Sequence, residues 1–315
     1  MRRREVLASA GAALLGTLGP ATPASSAGVA GHRGRSNQRA FVFVHGAWHG
    51  SMHWSRVTER LVAQGHCAVA VDLPGSGLKA GYPRSYFNND RVAFATEPSP
   101  IRGVGLDDYV AAVVPVLEAL GNRHSHVTLV GHSFGGQTIT LAAERVPHLV
   151  QHLVYVTAFC PALQEPGSAG AYDALPENAR SRIEPVMLGD PEAIGAYRLD
   201  PRSADAAYLE QVRQAFYGDV PFDDFLKFAA CLNPDTPVKA ASDDGRGTVA
   251  RWGRVPRTFV RCTLDQALPV ELQDRMIREA DQFTPRNRFT VQTLESSHSP
   301  FASMPDRLAA LLAVC

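Results

Sequence analysis

Lysine is nearly absent: only Lys79, Lys227 and Lys239 occur in 315 residues, so almost all of the 31 basic residues are arginine. The 31 acidic residues bring the formal net charge to zero, and no basic stripe stands out beyond the extreme N-terminus. That excludes the phosphate-neutralising surface a nucleic-acid binder needs. Cysteine is scarce too. Cys67, Cys160, Cys231, Cys262 and Cys315 are odd in number and never spaced Cys-x-x-Cys, so neither a zinc site nor a redox pair is expected. Cys67 and Cys262 lie in apolar, strand-like runs, where a buried inert thiol is the expectation. No apolar stretch reaches the roughly 20 residues of a membrane span, so no stable membrane anchor is expected. No internal repeat or low-complexity tract stands out. The remaining profile, 45% hydrophobic and 20% charged, is that of a soluble globular chain long enough for one large domain, or for one domain carrying a smaller cap.

The N-terminus reads as a targeting segment. Arg2, Arg3 and Arg4 precede an Ala-, Leu- and Gly-rich stretch from Val6 to Leu18, and a small-residue run follows at 21–27. An arginine pair just ahead of a mildly apolar core resembles a twin-arginine signal, which implies export of a folded, secreted protein; without a working signal the chain stays cytoplasmic. Cleavage after Ala27 removes three arginines and one glutamate, leaving 28 basic and 30 acidic residues. A slightly acidic mature chain suits an uncharged or apolar substrate better than a polyanion. Residues 28–38, rich in Gly, Arg and Ser, form a flexible lead-in.

From residue 39 onward, strand-length apolar runs alternate with helix-length amphipathic segments. The strands are expected at Ala40–His45, His66–Asp72, His126–Gly131, Val150–Thr157, Thr258–Cys262 and Arg288–Leu294, the helices at Met52–Gln64, Leu106–Leu120, Phe134–Arg145, Val270–Asp281 and Phe301–Val314. This alternation predicts an α/β fold: a mostly parallel sheet with helices on both faces, its active site at the carboxyl ends of the strands. Two stretches break it. Residues 161–250 carry helical pieces without a strand signal and read as an inserted helical cap, leaving 39–160 and 251–315 as the sheet domain. Residues 78–105, with Tyr82, Tyr86, Phe87 and Phe94 among Pro, Asn and Gly, form a long irregular connection of a kind compact domains rarely carry without use.

The chemical signal is Gly131-His132-Ser133-Phe134-Gly135, placed directly after one apolar run and directly before a helix. A nucleophile elbow needs that context, because the tight strand-to-helix turn leaves no room for flanking side chains and pushes the serine hydroxyl out of the sheet. Serine also needs a base within hydrogen-bond reach and a carboxylate to orient the base, and on such sheets the chain order is serine, acid, histidine. His298 is the one histidine after Ser133 at a strand end; His148 and His152 come too early and read as surface residues. Asp265 lies just past the strand Thr258–Cys262 and precedes His298 by 33 residues, room for one helix and one strand. One strand earlier, Ala158-Phe159-Cys160 offers no carboxylate, and Asp219, Asp223 and Asp224 read as solvated cap acids. Ala47, in the loop after the first strand, and Phe134, after the nucleophile, are the expected oxyanion-hole amides. Trp48, His132, Phe159, Phe216, Tyr217 and Phe225 are the expected substrate-binding residues, with Tyr86 or Phe94 from the long connection joining the pocket wall.

From about residue 40 to the end, the chain resembles an α/β-hydrolase. Within that superfamily it is similar to the group of plant methyl-ester esterases, hydroxynitrile lyases and bacterial esterase-like proteins. The matching stretches are His45-Gly-Ala-Trp-His-Gly50, Asp72-Leu-Pro-Gly-Ser-Gly77, Gly131-His-Ser-Phe-Gly-Gly136, Cys262-Thr-Leu-Asp-Gln-Ala-Leu-Pro269 and the His298 loop. The resemblance implies serine-dependent hydrolysis of a small-molecule ester or lactone through an acyl-enzyme, with no cofactor and no metal. The lyase branch carries threonine and lysine where this chain has Gly46 and Ser299, which favours the esterase branch, since no cation stands beside the base. Serine at the elbow likewise speaks against epoxide hydrolases and haloalkane dehalogenases, which use aspartate there. The alternatives are a carbon–carbon bond hydrolase or lyase, a natural-product tailoring enzyme, and a non-catalytic ligand-binding protein. The plant members lack or shorten the 78–105 connection, so their substrate preferences do not transfer.

Overall fold

Alternating apolar residues on both faces of the strands produce the two-sided core seen in the computed structural model, which describes residues 38–88 and 90–315. The expected export signal, 1–27, and the lead-in up to residue 37 lie outside the described residues. Strand β1 (Ala40–Val44) is buried at every position. Its Ala40, Val42 and Val44 face one hydrophobic layer, and Phe41 and Phe43 face the other. Such two-sided burial is what a central parallel strand requires. Strands β2 (Cys67–Val71), β3 (Val127–Ser133), β4 (His152–Ala158), β7 (Arg257–Cys262) and β8 (Thr290–Leu294) complete a six-stranded sheet in the order β2-β1-β3-β4-β7-β8. Every pairing in it is parallel. The helices Leu106–Gly121 and Gly135–Arg145 supply Val110, Leu117, Ile139 and Ala142 to one layer. The helices Ser55–Ala63 and Pro305–Val314 supply Val57, Leu61, Leu308 and Leu312 to the other.

Chain order reverses between β1 and β3, which are neighbours although β2 intervenes in sequence. Loops leaving the carboxyl ends of these two strands part there, opening the crevice in which such sheets bind ligands. Loops after β1, β3, β4, β7 and β8 all emerge on this edge and carry Ala47, Phe134, Phe159, Asp265 and His298 respectively.

Between β4 and β7 the cap covers that edge. It is not purely helical: β5 (Ala196–Arg198) and β6 (Asp235–Pro237) form an antiparallel ribbon, each too short to show alternation in sequence. A buried bidentate pair joins the two strands, Arg198 donating to Asp235 through Nε and Nη2 at 2.7 Å each. Arg198 Nη1 also donates to the Phe94 and Glu97 carbonyls, so the same guanidinium fastens the 78–105 connection to the cap. Phe94, only 3% exposed, packs beneath the Arg198 guanidinium at 4.7 Å. The connection is thus a brace for the cap.

Candidate active site

Ser133 ends β3 with φ +52°, a left-handed conformation that non-glycine residues seldom adopt, and the helix begins two residues later. The turn is tight because backbone is packed against it: a Cβ on Gly136 would lie 2.1 Å from the Phe159 carbonyl oxygen. The β1 loop is equally close, and a Cβ on Gly46 would stand 2.6 Å from Ser133 Cβ. Ser133 lines a cavity of about 640 Å³. Its hydroxyl is not hydrogen bonded to His298; bonds between nucleophile and base are often long and tighten only around substrate.

His298 lies in the buried run Ser296-Ser297-His298-Ser299 after β8. Its Nδ1 meets Asp265 Oδ2 at 2.7 Å. The Asp265 carboxylate is fully engaged: Oδ1 accepts the Ala267 and Leu268 amides at 2.8 and 2.9 Å, and Oδ2 also accepts the Thr157 hydroxyl. The histidine loop is held from the cap as well. Asp219 accepts the Ser297 amide at 3.1 Å and the Ser297 hydroxyl, so it is a strap between cap and loop and not the solvated acid expected from sequence.

Ala47 and Phe134 both line the cavity beside Ser133. Among the described residues neither backbone amide donates to a protein acceptor. The loop carrying Ala47 is fixed by cap residues: Thr236 Oγ1 accepts the Trp48 amide at 2.8 Å, and Asn233 Nδ2 donates to the Trp48 and His49 carbonyls at 3.2 and 2.9 Å. Trp48, with φ +58°, donates its indole N–H to the Tyr197 carbonyl at 2.8 Å. Two fixed backbone amides on the wall beside a nucleophile can stabilise a developing oxyanion where their N–H groups reach it.

Beneath the site lies a layer of buried histidines. His132 Nε2 donates to the His298 carbonyl at 2.8 Å, and the His132 and His298 rings are 4.6 Å apart. His49 donates from Nδ1 to the Ala47 carbonyl at 2.6 Å and accepts from Tyr217 at 2.8 Å, while its ring lies 4.6 Å from His53. Burial pulls His53 down to about 4 and holds His49 and His132 well below the ordinary value, with neighbouring histidine charges adding to the last two. These groups titrate near 6.5 once unfolded, so between pH 6.5 and 4 the unfolded chain binds more protons and stability falls as pH falls. His53 alone is worth about 3 kcal/mol by pH 4, at about 1.4 kcal/mol per pH unit. The urea midpoint of unfolding is therefore expected to drop between pH 7 and 5, and a flat midpoint over that range rules out neutral buried histidines.

The cavity wall contains Ala47, Trp48, Phe134, Phe159 and Phe216, and most of the rest comes from cap segments between Ala169 and Ala241. His132, Tyr217 and Phe225, expected at the substrate, do not line it. All three are fully buried, His132 under the His298 loop and Tyr217 and Phe225 in the cap core, where their rings are 5.5 Å apart. Tyr86 and Phe94 do not line it either; they border a separate pocket of about 310 Å³ with Asp200 and Arg202. Sequence reasoning missed Ile183, Met187, Tyr197 and Thr236 on the wall. Among the described residues no lysine or arginine lines the cavity; its ionisable wall residues are Asp173, Glu184 and Tyr197. Crowding by the cap, and then the Glu184 charge, push the Asp173 carboxyl up to about 6. Among the described residues no group of three or more His, Cys, Asp or Glu is gathered to hold a metal ion, and no helix is long and apolar enough to cross a membrane.

A family model described as the alpha/beta hydrolase family matches residues 41–311. Methylesterase 7 of Arabidopsis thaliana is 30% identical over 285 residues, covering 88% of this chain and 96% of its own length. Pheophorbidase of Raphanus sativus is 28% identical over 274 residues, with 86% and 92% covered. Among solved structures, the pyrethroid hydrolase PytH superposes with a TM-score of 0.67 at 23% identity over 88% of this chain and 96% of that one, a likeness of fold.

Proposed function

Because the chain belongs to the alpha/beta hydrolase family and its relatives include methylesterases and a pheophorbidase, we propose that it hydrolyses carboxylic esters through an acyl-enzyme on Ser133. Ser133 attacks the ester carbonyl and His298 Nε2 takes its proton, while Asp265 holds the imidazolium that forms. The Ala47 and Phe134 amides stabilise the oxyanion, for which one donor in comparable sites is worth about 3–4 kcal/mol. His298 then protonates the leaving alcohol, and a water activated by the same imidazole releases the acid. The observation that carries this reading is Ser133 itself: a left-handed residue at the strand-to-helix turn, lining a cavity beside Ala47 and Phe134, whose amides donate to no protein acceptor among the described residues.

The wall favours an uncharged ester or lactone. It offers Trp48, Phe134, Phe159, Phe216, Ile183 and Met187 as apolar surface, and among the described residues its charged groups are carboxylates. A lyase expelling an anion finds no cation there, and the crowding at Gly46 leaves no room for a side chain beside the nucleophile.

A fluorophosphonate ester tests the nucleophile directly. Peptide mapping of the labelled protein is expected to find one phosphonyl adduct, on Ser133, with concurrent loss of p-nitrophenyl ester hydrolysis. Hydrolysis that survives complete labelling, or an adduct on another serine, rejects the assignment.

A further inference from the structure

We propose that Thr157 is a positioning residue of this site, its hydroxyl holding the Asp265 carboxylate and sharing the charge of the oxygen that faces His298. The inference rests on the reading of Ser133, His298 and Asp265 given above and extends it to a residue outside the triad. It begins with an irregularity of the sheet. Pairing between β3 and β4 runs in step from Thr128 opposite His152 to His132 opposite Val156, and then jumps so that Ser133 stands opposite Ala158. Thr157 is the residue skipped, the extra member of a bulge. A bulge leaves one residue unpaired and re-aims its side chain, and such features gather beside active sites.

Strand alternation shows the effect. Leu153 and Tyr155 face one layer and Val154 and Val156 the other, yet Ala158 lies in the layer of Leu153 and Tyr155, one step out of phase. The displaced residue pays in backbone strain. Thr157 has φ +36°, an outlier for a β-branched side chain, and it is completely buried. Strain of this kind persists where surrounding structure over-determines it, typically at functional sites. Here the strained residue points its hydroxyl at one atom, Asp265 Oδ2, the same oxygen that meets His298 Nδ1.

That shared oxygen gives the contact a chemical consequence. Each donor to a carboxylate oxygen disperses its charge, and a donor beside the His298 N–H weakens the pull of the acid on the imidazolium. Thr157 also fixes the carboxylate from the side opposite the Ala267 and Leu268 amides, so the plane presented to His298 does not turn. The other titratable groups near His298 are His132 in ring contact, His49 behind it, Asp219 through Ser297 and Cys262 beside Asp265. None is altered when Thr157 is changed.

The test is the pH profile of kcat/KM for p-nitrophenyl butyrate with wild type, Thr157→Val, Thr157→Gly, Thr157→Ser and Ser133→Ala. Valine keeps the shape and loses the donor. Glycine loses the donor and relieves the left-handed backbone, so folding is safeguarded in at least one donor-free variant. Both are expected to lower kcat about tenfold, the scale of one hydrogen bond to a charged group, with KM within about twofold and the acid limb moved to higher pH. Thr157→Ser is expected to restore rate and limb. If folded donor-free variants keep the wild-type rate, or lose rate with the acid limb unmoved or lowered, the proposal is overturned and Thr157 is a packing residue only. If Ser133→Ala hydrolyses the ester like wild type, the triad reading itself has failed, an outcome distinct from either result at Thr157.

Discussion

Ser133→Ala is expected to reduce kcat/KM for ester hydrolysis by about 10⁵- to 10⁶-fold, or about 7–8 kcal/mol of transition-state stabilisation. The size of the effect comes from the geometry of the elbow. The chain brings one hydroxyl to the cavity wall beside Ala47 and Phe134, and the β1 loop packs so close to it at Gly46 that a Cβ there would stand 2.6 Å from Ser133 Cβ. Removing the hydroxyl leaves the pocket and both amides in place, so substrate still binds and KM changes little. Residual acceleration over water, about 10³- to 10⁴-fold, is what positioning and an intact oxyanion hole supply without a nucleophile. The variant should fold, since Ser133 already holds the left-handed conformation without being glycine, and alanine asks nothing further of the backbone. Thermal unfolding checks that, and active-site titration with a slow ester checks the rate. A loss of less than about 100-fold in a folded variant means that water attacks directly or that another residue is the nucleophile, because general-base assistance alone is worth about 10²- to 10⁴-fold.

How much of this site was legible in sequence depended on how local each signal is. Strand β1 declares itself because Ala40 to Val44 are all apolar, and the elbow declares itself because Gly-x-Ser-x-Gly stands between a strand and a helix. Asp265 and His298 follow from chain order and from their places just past β7 and β8. Thr157 is different. Its role depends on a slip in register between two strands, and nothing in Tyr155-Val-Thr-Ala158 marks where that slip falls. Asp219 and Asn233 work by reaching from the cap to loops 78 and about 185 positions away, separations no periodicity encodes. His132 illustrates the opposite error: proximity to Ser133 in sequence suggested substrate contact, but alternation along β3 turns its ring to the other side of the strand, under the His298 loop. The cap aromatics were ambiguous for a related reason. Phe216, Tyr217 and Phe225 lie on amphipathic helices, and only the three-dimensional placement of the helices Ala206–Tyr217 and Phe222–Ala229 makes Phe216 a wall and the other two core.

These long-range ties give the cap a second role beside shaping the cavity. Thr236 and Asn233 hold the loop of the oxyanion amide, Tyr217 holds His49 beneath it, and Asp219 holds the loop of the base. On the proposed mechanism, one insertion both walls the cavity and aligns the reacting groups, and it is stiffened in turn by the Arg198–Asp235 pair and the 78–105 brace. A buried pair of this sort contributes little net stability but is costly to break on one side.

Asp265→Asn is expected to lower kcat/KM by about 10⁴-fold while leaving the fold intact. The hydrogen bonds around the side chain decide how asparagine must sit. Oδ1 accepts two backbone amides, from Ala267 and Leu268, so the asparagine carbonyl oxygen is compelled to face them. Its NH₂ group then takes the place of Oδ2, toward Thr157 and His298 Nδ1. A donor now faces His298 Nδ1, and the neutral imidazole answers by moving its proton to Nε2. That is the atom required to accept the Ser133 proton, so the base is present but in the wrong tautomer, and the imidazolium has also lost its counter-charge. Substrate binding is untouched, and the loss should fall on kcat with KM within about threefold. Thr157 can still turn its hydroxyl away, so the substitution creates no buried clash of donors that would unfold the sheet edge. A decrease smaller than about tenfold indicates that another carboxylate orients His298. Asp219, already tied to Ser297, is the one the structure offers, and in that case Asp219→Asn should carry the large loss instead.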